Sequence, residues 1–248
     1  MTEQFSRTGL LIGNEGVEKL QRARVAVFGV GGVGGYVVEA LVRSGVGNLD
    51  IIDADKVCLS NLNRQIIATH KTIGEYKVDA VRERILDINP DAVVHAHRCF
   101  YLPQTANQFD FTQYDYVVDA IDTVTGKLEL VMQADRTDTP IISSMGAGNK
   151  LDPSAFRVAD IYQTNVCPLA KVMRRELKKR GIKKLKVVYS EEKPLTPLTD
   201  TDSRHKSDAE ENVREGSPRR QTPGSMAFVP SVVGLIIAGE VVKDITRG

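Results

Sequence analysis

A glycine-rich motif constrains this chain more than any other feature of its sequence. Residues 29–34 read Gly-Val-Gly-Gly-Val-Gly and directly follow a short apolar run. Because glycine has no Cβ, Gly29, Gly31 and Gly34 let the chain turn sharply, approach a phosphate and start a helix whose free amides face the anion. Asp53, nineteen residues after the motif, is placed to accept hydrogen bonds from ribose hydroxyls. The pattern predicts a nucleotide site, although a tight structural turn also uses glycines, and it does not separate a dinucleotide from ATP.

Short β-branched runs alternate with helical patterns along the chain, which is typical of a mostly parallel sheet with helices on both faces. Such a sheet needs right-handed crossovers, and these bring the carboxyl ends of the strands to one edge, where ligands collect. The sequence therefore predicts an α/β, Rossmann-like, doubly wound fold. The predicted strands span 24–29, 48–53, 92–97, 115–119 and 140–144, and the predicted helices span 32–44, 75–87 and 123–136.

The composition of the chain excludes several classes of protein. Its 248 residues can bury the core of one large α/β domain or of two small ones. Lys and Arg number 33 against 32 Asp and Glu, so any attraction to nucleic acid must come from a local patch. Three cysteines without Cys-x-x-Cys spacing argue against a disulfide scaffold and a four-thiolate zinc site. No signal peptide is evident, so a cytoplasmic location is expected.

Polar and charged side chains cluster after the predicted strands. The segment 53–65 is dense in groups suited to phosphates and ribose, and its alternative interpretation is an ordinary solvated loop. Lys77 comes early in a predicted helix, where a cation is locally unfavourable unless an anion is nearby. Asp119 and Asp122 follow the fourth strand, and Asp122 suits a metal and phosphate site or, equally, a helix cap. Taken singly, none of these side chains decides between binding and structure.

Taken together, the motifs occur in an order that resembles the adenylating fold shared by MoeB, ThiF and the ubiquitin-activating enzymes. The order is GxGGxG, then Asp-x-Asp from Asp53, Asn-Leu-x-Arg-Gln at 61–65, Lys77, and Asp-Ala-x-Asp from Asp119. The resemblance covers roughly residues 5–150 and resumes near 224–246. It implies a sheet of the ubiquitin-activating type and a single adenylating domain over 1–248, with its nucleotide-binding core at 5–150.

The resemblance also implies a role for each matching residue. The catalytic set would bind the triphosphate or, in the case of Asp122, Mg²⁺, and it comprises Arg7, Arg64, Lys77 and Asp122. The nucleotide-binding set comprises Gly29, Gly31, Gly32, Gly34, Asp53, Asp55, Asn61, Gln65 and Thr123. Arg7 matches the family's N-terminal arginine, which reaches into the partner subunit's site, so a homodimer is expected. A monovalent cation is a further ligand that the resemblance allows.

The chemistry of that family is attack by a carboxylate on the α-phosphate of ATP, which gives an acyl-adenylate and releases pyrophosphate. Negative charge develops on phosphate oxygens in the transition state, so positioned cations contribute most of the catalysis. No general base is needed, because a carboxylate nucleophile is already ionised at pH 7. The four histidines of the chain are accordingly interpreted as structural or surface residues.

Two departures from MoeB and ThiF indicate which carboxylate is activated. The paired Cys-x-x-Cys motifs that usually hold zinc in those enzymes are missing from this sequence, so no zinc is expected. Within the basic segment 168–189, eight basic residues meet one acidic residue between positions 174 and 186. This charge run is either a local patch that contacts several phosphates or a solvated helix face.

With the segment at 222–234, these features resemble the branch of the family that dehydrates threonylcarbamoyladenosine in tRNA. That branch uses ATP to activate the threonine carboxylate, and the neighbouring carbamoyl group then closes a ring with net loss of water. The resemblance implies tRNA carrying threonylcarbamoyladenosine as the substrate and allows a cysteine desulfurase system as a partner. The alternative is adenylation of the C-terminal Gly-Gly of a ubiquitin-like sulfur-carrier protein, as in MoeB and ThiF.

Three further expectations concern the second half of the chain. Cys167 either captures an acyl group, as cysteines of ubiquitin-activating relatives do, or is a small buried hydrophobe, which is the interpretation we favour. Residues 190–224 are almost empty of aliphatic side chains and are expected to form a mobile crossover loop. The apolar stretch 226–246 is expected to be a helix that packs on the core, and peripheral membrane association stays open.

Overall fold

The computed structural model describes residues 3–198 and 223–247, so most of the predicted loop 190–224 lies outside the described residues. Its strands are β1 (Arg24–Phe28), β2 (Asn48–Ile52), β3 (Val93–His97), β4 (Tyr116–Asp119), β5 (Ile141–Ser144), β6 (Phe156–Asp160) and β7 (Lys186–Ser190). They form one sheet in the order β3-β2-β1-β4-β5-β7-β6. Neighbouring strands are parallel, except that β6 runs antiparallel to β7 at one edge.

Helices flank this sheet in the described part of the chain. They are α1 (Ser6–Arg22), α2 (Gly34–Ser44), α3 (Lys77–Ile88), α4 (Val124–Thr137), α5 (Pro168–Lys179) and α6 (Phe228–Arg247). Short 3-10 turns occur at Glu3–Phe5, Leu59–Asn61, Ala106–Gln108, Phe111–Gln113, Pro153–Ala155 and Ile161–Gln163. Helix α1 bends at Gly13, whose φ of +74° lies in the left-handed region that glycine tolerates.

The predicted mostly parallel α/β fold is confirmed. Each predicted strand and each helix predicted at 32–44, 75–87 and 123–136 is present, with bounds that differ by at most two residues. The predicted segment 168–189 is not one element, because it divides into α5 and β7. Helix α1 and strands β6 and β7 had no counterpart in the sequence-based assignment. Lys186, which opens β7, looks like part of a surface charge run, but Asp244 on α6 binds its ammonium at 2.7 Å.

Alternating side chains of β1 separate two cores on the two faces of the sheet. Val25 and Val27 are buried on one face against apolar side chains of α2, α3 and α6. Ala26 and Phe28 are buried on the other face, where Phe28 packs edge-on to Tyr101 with ring centroids 4.8 Å apart. Two-residue periodicity and burial of both faces are what a central strand of a parallel sheet requires.

The strand order places a topological switch between β1 and β4. The connection from β1 to β2 runs through α2, which packs on the first face, whereas the connection from β4 to β5 runs through α4, which packs on the other. The two loops therefore leave the sheet in opposite directions. A crevice opens between them at the carboxyl ends of β1 and β4, which is where doubly wound sheets bind their ligands.

Helix α6 packs directly on the start of α2. A Cβ added to Gly234 would lie 2.5 Å from the Val33 carbonyl oxygen, so only glycine allows this approach of the two backbones. The buried apolar face of α6 consists of Val229, Val233, Ile237, Ala238 and Val241. Among the helices that the structure describes, none is long and apolar enough to cross a membrane.

Candidate nucleotide site

The glycine motif forms the turn between β1 and α2, and its glycines do different things. Gly29 has φ +85°, and a Cβ there would lie 2.8 Å from the Ala120 carbonyl oxygen in the loop after β4. A Cβ on Gly34 would overlap the Gly29 carbonyl oxygen. The fold itself therefore requires glycine at these two positions.

Gly31 and Gly32 have no comparable structural need for glycine. A Cβ on Gly31 would meet only the Gln65 side-chain nitrogen, at 3.8 Å, and a Cβ on Gly32 would lie 3.4 Å from Pro230, an ordinary contact. The backbone at this point is open to an approaching group. Internal packing therefore does not explain glycine at these two positions, and close approach of a phosphate to the main chain stays the prediction for them.

Asp53 connects the glycine turn to the loop after β2. Its carboxylate accepts hydrogen bonds from the Val30 amide at 3.0 Å and from the Asp55 amide at 2.9 Å. Burial raises the pKa of the Asp53 carboxyl above its usual value, and the nearby Lys77 ammonium opposes that shift. Each carboxylate oxygen keeps a free acceptor site, which suits a hydroxyl donor such as ribose.

Lys77 places a buried ammonium between two carboxylates. It is the first residue of α3, and its Nζ lies 2.8 Å from the Asp55 carboxylate and 3.9 Å from that of Asp53. A cation at a helix N-terminus is repelled by the helix dipole, and these carboxylates offset that repulsion. The predicted residues Asp53, Asp55 and Lys77 thus lie in one cluster at the carboxyl end of β2.

The segment 59–65 carries Asn61 and places the Arg64 side chain beside the glycine turn. Asn61 is held by a hydrogen bond from the Cys58 amide to its Oδ1, at 3.2 Å. Arg64 donates to the Ser60 carbonyl at 2.9 Å and pairs with no carboxylate among residues 3–198 and 223–247. Burial lowers the pKa of the Arg64 guanidinium. A Cβ on Gly32 would lie 3.6 Å from its Cγ, so the side chain passes beside the turn.

Gln65 contributes an unsatisfied polar atom at the same place. Its Oε1 is buried and has no hydrogen-bond partner in the described structure. A buried acceptor without a partner costs free energy, about 1–3 kcal/mol, and such atoms are rare in folded proteins. The Gln65 side-chain nitrogen, and not this oxygen, is the atom that lies beside Gly31, so Gln65 presents an N–H donor to the turn.

The loop after β4 forms the other wall of the crevice. Asp122 is exposed, and Thr123 occupies the N-cap position of α4, so Asp122 is not the helix cap that the sequence allowed. The described residues contain no group of three or more His, Cys, Asp or Glu side chains placed to hold a metal ion. A Mg²⁺ ion on Asp122 would therefore take its other ligands from phosphate and water, which is the usual mode for Mg²⁺.

Asp119 and Lys127 form a buried ion pair beneath this loop that sequence reasoning did not identify. The Lys127 ammonium lies 3.0 Å from the Asp119 carboxylate and donates to the Ser144 carbonyl at 2.7 Å, with the side chains 1% and 0% exposed. Asp119 also accepts from the Ile121 amide at 3.3 Å and from the Ser143 hydroxyl. Lys127 lies in the first turn of α4, where the helix dipole disfavours a cation unless an anion is nearby. This position was the signal in the sequence that could have predicted the ion pair.

Two predicted site residues lie apart from this cluster. Arg7 is exposed on α1 and makes no ion pair within the described ranges. Leu10 and Leu11, on the same helix, are 86% and 88% exposed. Cys167 is 3% exposed and packs with Met145, Met173 and other apolar side chains. Its thiol is therefore not presented to solvent, and its chemical role stays a prediction.

A glycine turn beside a cluster of Asp53, Asp55 and Lys77, at the switch point of a parallel sheet, is typical of nucleotide-binding α/β proteins of the doubly wound class. Within that class the chain belongs to the ThiF family, whose family model matches residues 5–247. The predicted resemblance is thereby confirmed.

Several relatives among the curated proteins are tRNA threonylcarbamoyladenosine dehydratases. The chain is 46% identical over 248 residues to the tRNA threonylcarbamoyladenosine dehydratase of Bacillus subtilis, covering 100% of this chain and 96% of that protein. It is 35% identical to tRNA threonylcarbamoyladenosine dehydratase 2 of Saccharomyces cerevisiae, covering 98% of this chain and 58% of the yeast protein.

Solved structures agree in fold. The Escherichia coli dehydratase TcdA in complex with AMP superposes with a TM-score of 0.86 at 30% identity, over 99% of this chain and 94% of that one. Its complex with ATP gives a TM-score of 0.85 at the same identity and coverage. Escherichia coli MccB with ATP matches at 18% identity and a TM-score of 0.62, which is similarity of fold alone.

Proposed function

We propose that this chain catalyses the ATP-dependent dehydration of threonylcarbamoyladenosine in tRNA. The threonine carboxylate is activated by adenylation, the carbamoyl group attacks the activated carbon, and AMP leaves as the ring closes. The 46% identity to the Bacillus subtilis dehydratase over the whole chain carries this proposal. Ring closure within one nucleotide has a high effective molarity, so the protein needs mainly to activate the carboxylate and exclude water.

Three features of the site support ATP as the nucleotide. The backbone at Gly31 is open to a phosphate, the Gln65 side-chain nitrogen lies beside it as a donor, and Arg64 has no carboxylate partner in the described residues. We assign the phosphates to the turn at 29–34, with Asn61 and Gln65 beside it. Asp53 would accept from the ribose, and Asp55 and Thr123 would complete the walls.

The cations of the site suit the charge that develops during adenylation. ATP supplies the electrophilic α-phosphorus and pyrophosphate as leaving group. Arg64 and Lys77 stabilise negative oxygens, Asp55 orients Lys77 through its 2.8 Å ion pair, and Asp122 holds Mg²⁺ in this assignment. No side chain has to remove a proton from the carboxylate, since it is ionised at pH 7.

The decisive experiment uses tRNA that carries threonylcarbamoyladenosine. Incubation with the protein, ATP and magnesium should give a nucleoside lighter by one water on mass spectrometry, and omission of ATP should abolish it. The same protein should exchange labelled pyrophosphate into ATP only when this tRNA is present. Exchange driven instead by a ubiquitin-like protein ending in Gly-Gly, with no change in the tRNA, would favour the sulfur-carrier alternative.

Two glycine variants separate binding from folding. Gly31→Ala should keep the thermal unfolding midpoint of the wild type, because its Cβ has room, but should weaken ATP binding at least about tenfold by blocking the phosphate. Gly34→Ala should instead lower the unfolding midpoint, because its Cβ overlaps the Gly29 carbonyl. Calorimetric titration with Mg-ATP and thermal denaturation measure both effects. If Gly31→Ala bound ATP with wild-type affinity, the assignment of the phosphates to this turn would be wrong.

We extend the proposal to a homodimer in which Arg7 acts in the partner's site. Exposed Leu10 and Leu11 on the same helix form an apolar surface that a second copy would cover. Mixing Arg7→Ala with Lys77→Ala subunits should restore activity to about a quarter of wild type, since each mixed dimer then has one complete site. Subunit exchange without recovery would place Arg7 in the site of its own chain.

The remaining parts of the proposal rest on the family resemblance. We propose that the whole chain acts as one adenylating domain in the cytoplasm, and that a cysteine desulfurase system is a partner. A monovalent cation is included as a structural ligand. Affinity purification from cells tests the partner, and activity in buffers that exchange sodium, potassium and a large organic cation tests the ion.

A further inference from the structure

We propose that the tRNA docks its phosphate backbone on an exposed basic surface formed by α5 and the turn that follows it. This inference rests on the proposed function and adds where the macromolecule binds. We define the α5 basic surface as Lys171, Arg175, Lys178, Lys179, Arg180, Lys183 and Lys184, all of which are exposed. The opposite face of the helix is anchored in the core by Ala170, Met173 and Leu177.

The cations of this surface greatly outnumber the available carboxylates. Glu176 is the one acidic residue between 168 and 190, and it binds Arg175, Lys179 and Arg180 at 3.1, 3.0 and 2.9 Å. Hydrogen bonds from these partners, first of all Lys179, lower the pKa of Glu176 to about 2. One carboxylate shared by three cations leaves the surface strongly positive.

Four lysines of the surface have no carboxylate partner in the described part of the chain. Lys171, Lys178, Lys183 and Lys184 make no ion pair with any residue that the structure describes. The neighbouring Lys186 differs, because Asp244 and Glu240 bind it at 2.7 and 3.4 Å. In a chain of net charge +1, a concentrated set of unpaired ammonium groups is a local field suited to a polyanion.

The position of α5 explains why the partner must be large. Helix α5 starts at the carboxyl edge of the sheet, where the proposed ATP site lies, which we call the catalytic edge. There, a Cβ added to Gly146, just after β5, would lie 4.0 Å from Leu169. The helix ends at the opposite edge, because β7 begins in register with the start of β5, with Lys186 beside Ile142. Twelve helical residues span roughly 18 Å. A nucleic acid can contact this surface while presenting one nucleotide at the catalytic edge, and a free nucleotide cannot.

The test compares two triple variants that remove the same charge. Lys178→Gln, Lys183→Gln and Lys184→Gln should raise the KM for modified tRNA about tenfold at moderate salt and reduce the slope of log KM against log salt by about 2. The kcat at saturating tRNA and the affinity for ATP should not change. The matched control replaces the exposed Arg22, Lys71 and Arg82 by Gln and should leave the KM for tRNA near the wild-type value.

A second variant keeps the test independent of folding. The triple variant Lys178→Arg, Lys183→Arg and Lys184→Arg retains the charge and should preserve the wild-type KM. Equal KM values for the Gln triple and its control, in an active wild type, would overturn the docking surface. A fall in kcat with unchanged KM would overturn it too, as would loss of binding to phosphatidylserine vesicles with tRNA affinity intact. Failure of the proposed function looks different, since wild-type protein would then form no dehydrated nucleoside.

Discussion

Lys77→Met is expected to reduce kcat/KM for tRNA dehydration by about a thousandfold, the cost of losing one preorganised electrostatic contact in a desolvated site. Lys77 is buried, and its ammonium lies between the Asp53 and Asp55 carboxylates at the edge of the glycine turn. Without it, the site keeps two carboxylates that repel the phosphates. Steady-state kinetics with modified tRNA and pyrophosphate exchange both report the loss.

Lys56→Met is the matched control for Lys77→Met. Lys56 is exposed and lies over the Tyr76 ring, with its ammonium 5.0 Å from the ring centroid, so it borders the same loop without entering the cluster. The kcat/KM of Lys56→Met for tRNA dehydration should stay within about threefold of the wild-type value, because an exposed cation in this position contributes little. Comparable losses in both variants would mean that general charge near the loop matters, and not the ammonium held by Asp55.

Lys127→Met is expected to destabilise the fold by about 3–5 kcal/mol, which is the typical cost of breaking a buried ion pair from one side. The Asp119 carboxylate is fully buried and would lose its cation. The double variant with Asp119→Asn should be more stable than Lys127→Met, since no uncompensated charge remains. Urea unfolding monitored by circular dichroism measures the free energy of unfolding of each protein.

Arg136→Met on the same helix is the comparison for Lys127→Met. Arg136 pairs with Glu129 at 3.0 Å, but its side chain is exposed, so its loss should cost no more than about 1 kcal/mol. If Lys127→Met were as mild as Arg136→Met, the buried pair would not be holding the loop after β4. Asp119 positions that loop through the Ile121 amide, so the unstable variant should also bind ATP weakly at temperatures where it is folded.

The central sheet could be predicted because its strands leave a direct pattern in the sequence. Val25 and Val27 alternate with Ala26 and Phe28, and both sets are buried, as a central parallel strand requires. The edge strand β6 lacks such a pattern, because Arg157 and Val158 are exposed. Strand β7 has a β-branched run with Val187 and Val188 buried on opposite faces, but it directly follows a run of basic residues that hides it in the sequence. Its first residue, Lys186, is paired by a helix far along the chain.

The candidate site was predictable to the extent that it follows the order of motifs. Asp53, Arg64, Gln65 and Lys77 all follow β2, whose carboxyl end lies beside that of β1 and therefore beside the glycine turn. The motif alone does not show that the fold requires glycine at Gly29 and Gly34 but not at Gly31 and Gly32, because this depends on which atoms a Cβ at each position would contact. The structure shows that the first part of the basic segment is an amphipathic helix, with Met173 inside and Lys178 outside, and phosphate contact by its outer face stays a prediction.

The contact between α6 and the start of α2 joins the glycine turn to a segment far along the chain. Gly234 lies against Val33, and Pro230 borders Gly32, so residues about two hundred positions apart form one wall. During translation, the glycine motif leaves the ribosome well before this helix does. Until residues 228–241 have been made, the Val33 and Val37 side of α2 faces water, so the glycine turn gains its outer support only after synthesis of α6.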